Sequence, residues 1–268
     1  MLHASTIRGL GALAISLAVI TSAGADTIYG ITYNGKLLSI DTTTAVGTTV
    51  RVLPEPYREV QSLLYVDGVF YAGYQGGNVV RFALDADSEI ALGPSGYTYI
   101  GDLALDTDGV VYASVASDGG DWATGVGRLD LLSGVVTDVK ETGDSGLAYD
   151  MDAIACAGDG TLWVANRTQP SDIARFDPDT GAISEASTRM GIGEFTGMES
   201  AGGNDFWGVT YPTIHSFTSS LVQIDTTGAM SYVGTIANEY VTAIALPEPS
   251  AVLLLGAGAL AVLRRRVA

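Results

Sequence analysis

One line of sequence recurs along this chain in register. It reads Val66-Asp67-Gly68-Val69-Phe70-Tyr71-Ala72 and returns as Thr107-Asp108-Gly109-Val110-Val111-Tyr112-Ala113. It comes back as Gly158-Asp159-Gly160-Thr161-Leu162-Trp163-Val164, and again as Gly203-Asn204-Asp205-Phe206-Trp207-Gly208. A polar pair that tolerates positive φ, between runs rich in β-branched and aromatic residues, encodes a tight hairpin. An aromatic follows at a fixed place: Tyr71, Tyr112, Trp163, Trp207. A second line comes later in each unit, as Val80-Arg81-Phe82, Gly127-Arg128-Leu129, Ala174-Arg175-Phe176 and Val222-Gln223-Ile224. Turns such as Asp177-Pro178-Asp179-Thr180-Gly181 and Asp225-Thr226-Thr227-Gly228 then lead into a last strand.

The units begin near Val60, Gly101, Met151 and Phe195, a period of about 40–50 residues with four strands each. That period is the one β-propeller blades have. A fifth unit is divided between the two ends. Val241-Thr242-Ala243-Ile244-Ala245-Leu246 matches the first strand Met151-Asp152-Ala153-Ile154-Ala155-Cys156. Thr27–Ile31, Lys36–Thr42 and Thr48–Leu53 supply its second, third and fourth strands, with Tyr29 in the aromatic position. The expectation is an all-β propeller of five four-stranded blades, shut by pairing the last strand with the first so that no sheet edge stays open. A β-sandwich would not repeat its own sequence at this spacing, and a β-solenoid would not divide one unit between the termini.

The residues outside the repeat read as address labels. Arg8, an apolar run Leu10–Ile20 and Ala23-Gly24-Ala25 have the form of a secretory signal peptide. Residues 1–25 are expected to be removed after Ala25, with Ala23 as the second choice. At the other end Pro247-Glu248-Pro249 precedes an apolar run from Ser250 to Leu263, followed by Arg264, Arg265 and Arg266. As a helix that run is about 21 Å long, short of the ~30 Å hydrocarbon core. It can span only with local thinning or with snorkelling arginines. The arginines would hold the C-terminus in the cytoplasm. Domain 26–246 would then stand on the far side of the inner membrane.

Charge and cysteine content narrow the classes. Of 13 Lys and Arg, Arg8, Arg264, Arg265 and Arg266 lie in the ends; of 30 Asp and Glu, only Glu248 does. The span between carries a charge near −20, which excludes nucleic acid and anionic lipid as partners of the folded domain. Cys156 is the only cysteine, so an exported chain must rely on its core; this residue reads as a buried structural thiol.

Residues 247–268 resemble a PEP-CTERM sorting signal: Pro247, Glu248 and Pro249, an apolar segment, then Arg264, Arg265 and Arg266. The resemblance implies recognition by an exosortase-type processing enzyme after the secretion machinery. It also implies a bacterium with an exopolysaccharide or biofilm matrix, and delivery to the cell surface or beyond. The repeats resemble extracellular β-propellers, which bears on fold rather than activity.

Catalytic constellations are scarce. His3 lies in the signal peptide, leaving His215 alone; histidine metal sites and most base-assisted nucleophiles are thereby excluded. Gly143-Asp144-Ser145-Gly146 echoes a serine-protease loop, but no histidine precedes it in the mature chain, and it reads as a turn. Gly191-Ile192-Gly193 lacks the third glycine of a nucleotide loop. Asp106-Thr107-Asp108-Gly109 begins like a calcium loop without its later ligands.

Carboxylates are the remaining set. Alignment of the repeats puts Glu59, Asp150, Glu194 and Glu239 just before successive first strands, on one face near the axis, with Asp118 and Asp121 in a long loop beside them. Such a rim would suit Ca²⁺ or a cationic ligand, or be simply solvated. Trp122, Tyr149 and Tyr211 on the same face are candidates for stacking on sugars. The reading is a non-enzymatic binding or structural component of the matrix, without cofactor. The alternative is a metal-assisted hydrolase or lyase acting on polysaccharide at the axial mouth.

Overall fold

A computed structural model describes residues 27–74, 76–116, 123–141, 151–166, 172–184, 193–211, 218–236 and 239–247. The chain opens with β1 (Thr27–Thr32), β2 (Lys36–Asp41) and β3 (Gly47–Val52), three strands of an incomplete blade. Blade I comprises β4 (Ser62–Val66), β5 (Val69–Tyr74), β6 (Asn78–Phe82) and β7 (Glu89–Pro94). Blade II comprises β8 (Tyr99–Leu105), β9 (Val111–Ala116), β10 (Gly125–Leu129) and β11 (Val136–Glu141). Blade III comprises β12 (Ala153–Cys156), β13 (Leu162–Ala165), β14 (Ile173–Phe176) and β15 (Ile183–Ser184). Blade IV comprises β16 (Glu194–Gly202), β17 (Asp205–Tyr211), β18 (Ser219–Asp225) and β19 (Met230–Ile236). Then β20 (Val241–Ala245) joins β1, β2 and β3 as the innermost strand of blade V. All pairings are antiparallel, and each sheet has four strands in meander order. The five-bladed architecture, including the divided blade, is the one the repeat encodes.

The blades shade from apolar to polar, from axis to rim. The short inner strands β12 and β20 are buried at every residue, whereas the outer strand β3 is exposed along nearly all its length. The core lies between blades rather than within one. Ile31, Leu37 and Leu53 of blade V pack on Leu63, Phe70 and Val80 of blade I, and Ala155 and Trp163 of blade III pack on Phe195, Phe206 and Val222 of blade IV. The repeated aromatic is one reason: Tyr29 meets Phe70 edge-on at 5.0 Å, and Trp163 meets Phe206 at 6.2 Å, each pair across a blade boundary. Burying each such side chain contributes about 1.5–3 kcal/mol.

The repeat has a second layer of meaning in register. Tyr71 stands opposite Arg81, Tyr112 opposite Arg128, Trp163 opposite Arg175 and Trp207 opposite Gln223. A long polar residue is thus the cross-strand partner of each buried aromatic, the register in which opposite side chains are neighbours.

Turns follow from sequence chemistry. Asp67 and Gly68 both have positive φ, 52° and 82°, as a two-residue hairpin between β4 and β5 requires. In the turns from third to fourth strand an aspartate closes the loop through its own carboxylate. Asp41 accepts the amides of Thr43 and Thr44, Asp177 those of Asp179 and Thr180, and Asp225 those of Thr227 and Ala229. The Asp179 amide above all holds the Asp177 carboxyl below the usual range, the Thr227 hydroxyl and then the turn amides do so for Asp225, and the Thr43 and Thr44 hydroxyls, then their amides, hold Asp41 at about 2. Asp106 acts alike in the β8–β9 turn, accepting the amides of Asp108 and Val110.

Around the axis, one position near the start of every inner strand is polar and buried: Ser62, Asp102, Asp152, Thr196 and Thr242. Most of these side chains reach a neighbouring blade. Thr196 Oγ1 donates to the carbonyl of Val241 at 3.1 Å, and Thr242 Oγ1 to that of Val60 at 2.8 Å. Asp102, fully buried, accepts amides from Leu103, Ile154 and Met198. Tyr99 Oη donates to Asp152 at 3.3 Å. Ser62 instead bonds within its blade, accepting the Gly73 amide at 2.8 Å. Close approach at the axis requires small residues: a Cβ on Gly197 would lie 2.6 Å from the Ala243 Cα.

Candidate functional site

All five inner strands run the same way, so the loops that lead into them lie on one face with the links between second and third strands. We call this the upper face. Among the described residues seven tyrosines belong to it: Tyr33, Tyr57, Tyr74, Tyr97, Tyr99, Tyr211 and Tyr240. Six are half-buried, and Tyr211 is the exception at 1 % exposure. It packs edge-on against Tyr240, with 5.3 Å between centroids. The expectation that Tyr211 stacks on a sugar is therefore corrected: it buttresses Tyr240 from beneath. Trp122 and Tyr149 lie outside the described residues.

The tyrosines come with carboxylates. Tyr33 follows β1 and hydrogen-bonds to Glu59; burial and then the Glu59 charge push its phenol above the ordinary range. The Tyr33 and Tyr240 rings lie 6.2 Å apart, and the Tyr33 amide donates to the Tyr240 carbonyl at 3.1 Å. Beside them Lys36 Nζ donates to Glu239 Oε1 at 2.8 Å. Glu59 sits in the loop ahead of β4 with φ 55°, a strained conformation for this residue type. A second aromatic pair, Tyr57 and Tyr74, meets edge-on at 5.2 Å, and burial raises the Tyr74 phenol.

Of the carboxylates expected at the rim, Glu59 and Glu239 flank the Tyr33–Tyr240 pair. Glu194 opens β16 opposite Tyr211 and is buried at 6 % exposure. Asp118, Asp121 and Asp150 lie outside the described residues, as do Ala23, Ala25, Glu248, Pro249, Arg264, Arg265 and Arg266; Pro247 follows the inner strand of blade V after Leu246 alone. Among the described residues no three carboxylates, thiols or imidazoles gather as a metal cluster.

The lower face is built differently. Glu199, on β16, is pushed up to about 7 by burial, offset in part by the Ser200 amide that it accepts at 3.0 Å. Burial likewise raises Asp102 and drives the Cys156 thiol far above its usual range, so Cys156 is an inert core thiol. Between the hairpins of blade III a groove of about 470 Å³ contains Arg175 with Asp159 and Asp177 on either side. Arg175 stabilises both carboxylates. With one arginine and two aspartates the groove keeps a net negative charge.

Sequence reading passed over most of the upper-face tyrosines. Their signal was positional: Tyr57, Tyr97, Tyr149 and Tyr240 fall in four of the five loops that lead into inner strands.

No protein-family model matches the chain, and no curated protein matches it. Solved structures do. A chain of a crystal structure titled as a nidogen/laminin complex aligns over 82 % of this chain and 97 % of its own length, with a TM-score of 0.53 and 12 % identity. At that identity the likeness speaks for the β-propeller fold alone.

Proposed function

We propose that this chain is an exported binding propeller of the cell surface or extracellular matrix, without catalytic activity, whose upper face takes up matrix polysaccharide. The observation that carries this reading is the gathering of half-buried tyrosines on one face, most of them in loops rather than in the strand repeat. A phenol ring offers an apolar face and a polar tip, and loops positioned by a rigid scaffold are where binding residues concentrate. The nidogen/laminin title belongs to an assembly of matrix proteins, and the strong negative charge suits a soluble exported domain.

Export and retention fall to the two ends. Residues 1–25 carry the form of a signal peptide, and residues 247–268 carry Pro247, Glu248 and Pro249, an apolar run and three arginines in the order of a PEP-CTERM signal. An exosortase-type enzyme in the inner membrane would process the chain near Pro247, directly beneath the closing blade.

The test is direct. Full-length chain should bind purified exopolysaccharide, and joint substitution Tyr33→Ala, Tyr57→Ala and Tyr240→Ala should weaken binding at least roughly tenfold, since aromatic contacts contribute about 0.5–1.5 kcal/mol each. Unchanged binding by the triple variant would remove the upper face from this role. Replacing Arg264, Arg265 and Arg266 by Gln should leave the chain unprocessed; normal processing would remove the sorting role from those residues.

A further inference from the structure

We infer that the mouth formed by Tyr33, Tyr240, Glu59 and Glu239 selects amine-bearing glycans, such as a deacetylated amino-sugar polymer, over neutral and uronic ones. This rests on the reading of the upper face as a glycan-binding surface and names its substrate class.

Three observations lead there. The first is chemistry: a tyrosine face attracts a cation, and a carboxylate at its edge completes a charge-assisted hydrogen bond to an ammonium. Tyr33 and Tyr240 lie 6.2 Å apart, and Glu59 is hydrogen-bonded to Tyr33. The second is that the protein already seats one primary ammonium here. Lys36 Nζ rests 2.8 Å from Glu239 Oε1, the residue before Tyr240. Glu59 has no such partner, because no lysine or arginine nitrogen among the described residues forms an ion pair with it. The third is charge on the scale of the whole domain, which repels polyuronates and draws in cationic polymers.

An amino-sugar uses the two phenols and Glu59, the acid of the mouth that Lys36 does not pair. Its pyranose C–H face lies on a phenol, its ammonium meets Glu59, and its hydroxyls reach the Tyr33 and Tyr240 tips. A neutral sugar leaves Glu59 hydrated, and a uronate places like charges together.

The experiment measures binding of full-length chain to three hexasaccharides at about pH 5.5, above the ordinary carboxylate range. They are a β-1,4-glucosamine hexamer, its fully N-acetylated form, and a hexauronate. The glucosamine hexamer should bind roughly tenfold tighter than the acetylated one, and the hexauronate should not bind. Glu59→Gln should abolish that preference, bringing the glucosamine hexamer to the same affinity as the acetylated one, with the near-UV circular dichroism showing that the fold is kept. Equal affinity for the first two hexamers, or a preference that survives Glu59→Gln, overturns amine selection and leaves the glycan surface standing. Absence of binding to all three overturns the surface itself. Displacement by tetralysine as readily as by the glucosamine hexamer overturns the glycan in favour of a basic peptide.

Discussion

Asp102 and Met198 are 96 residues apart in the chain, yet the carboxylate Oδ2 of one accepts the backbone amide of the other at 3.1 Å. The same oxygen accepts the Ile154 amide at 3.1 Å, so one side chain from blade II clasps the inner strands of blades III and IV. A bulge between Ile100 and Leu103 makes room for this, and the Asp102 amide is held by Ser114 Oγ at 2.8 Å. Removing the carboxyl would leave the buried amides of Leu103, Ile154 and Met198 without this acceptor. Each unsatisfied amide costs about 1–3 kcal/mol. Asp102→Ala is therefore expected to cost at least about 3 kcal/mol in urea unfolding, seen as a lower midpoint with little change in slope. Asp102→Asn, which keeps one acceptor oxygen, should cost less. Equal stability of wild type and Asp102→Ala would mean that the axis reorganises around the gap.

The pH profile should have two limbs of opposite sign. Asp102 and Glu199 bind protons more tightly in the folded state, because burial raises both. Their contribution is full below the ordinary carboxylate range and is lost as pH rises through their folded values, about 7 for Glu199. The turn aspartates work the other way. Asp41, Asp130, Asp159, Asp177 and Asp225 are lowered by hydrogen bonds from their own turns. Their contribution is present above the ordinary range and is lost as pH falls, down to about 2 for Asp41. Stability should peak near pH 4–5, between the two limbs. Glu199→Gln should flatten the decline toward neutrality more than the loss of one surface charge can. A wild-type stability equal at pH 5 and pH 8 would contradict this.

Two ion pairs at blade V should differ sharply. Arg51, 12 % exposed, donates to the carbonyls of Ala83 and Ala86 and to Glu89, 10 % exposed, and lies 5.4 Å from the Phe82 centroid. It ties β3 to the β6–β7 turn of the next blade. Removing one partner of such a buried pair leaves the other charge stranded, at about 3–5 kcal/mol. Arg51→Ala should fall in that range in urea unfolding. Lys36 and Glu239 are 41 % and 22 % exposed, so Lys36→Ala should cost less than about 1 kcal/mol. Similar costs for the two variants would rule out blade V as dependent on the Arg51 contact.

The blades were legible in sequence because one aromatic, one arginine and one aspartate turn recur at the period, and each has a local physical reason. Tyr71 and Arg81 illustrate it, with the hairpin that joins their strands bringing them face to face. The divided blade was legible because Val241–Leu246 repeats Met151–Cys156 and needs a partner. Asp102 was not. Between Gly101 and Leu103 it reads as an ordinary polar residue in a strand, and only the bulge and two non-local amides give it a role. At the rim, Glu59 and Glu239 stand in the loops ahead of β4 and β20 and Glu194 opens β16, but alignment cannot say that Glu194 is buried while Glu59 bonds to Tyr33. Tyr211 misled because exposure depends on what packs above it, here Tyr240.

The closing strand decides where the fold ends. Residue pairs from Tyr29 with Ala245 to Thr32 with Val241 join β1 to β20, and Thr242 Oγ1 donates to the carbonyls of Ile31 at 3.1 Å and Val60 at 2.8 Å. Val241, Ala243 and Ile244 are at most 1 % exposed. A chain ended after Leu246 keeps every one of these contacts, whereas a chain ended after Tyr240 leaves β1 as an open edge beside an uncovered apolar face. The first truncation should melt within about 2 °C of full-length chain, since a surface change alters stability by less than ~0.5 kcal/mol and a domain of this size shifts about 2–4 °C per kcal/mol. The second should aggregate or fail to accumulate. Thr242→Val grades the same effect: it keeps the volume but removes the one hydroxyl proton that the Ile31 and Val60 carbonyls share, at about 1–3 kcal/mol by urea unfolding. If the chain ended after Tyr240 folded as well as the longer one, ring closure by β20 would not be what holds blade V.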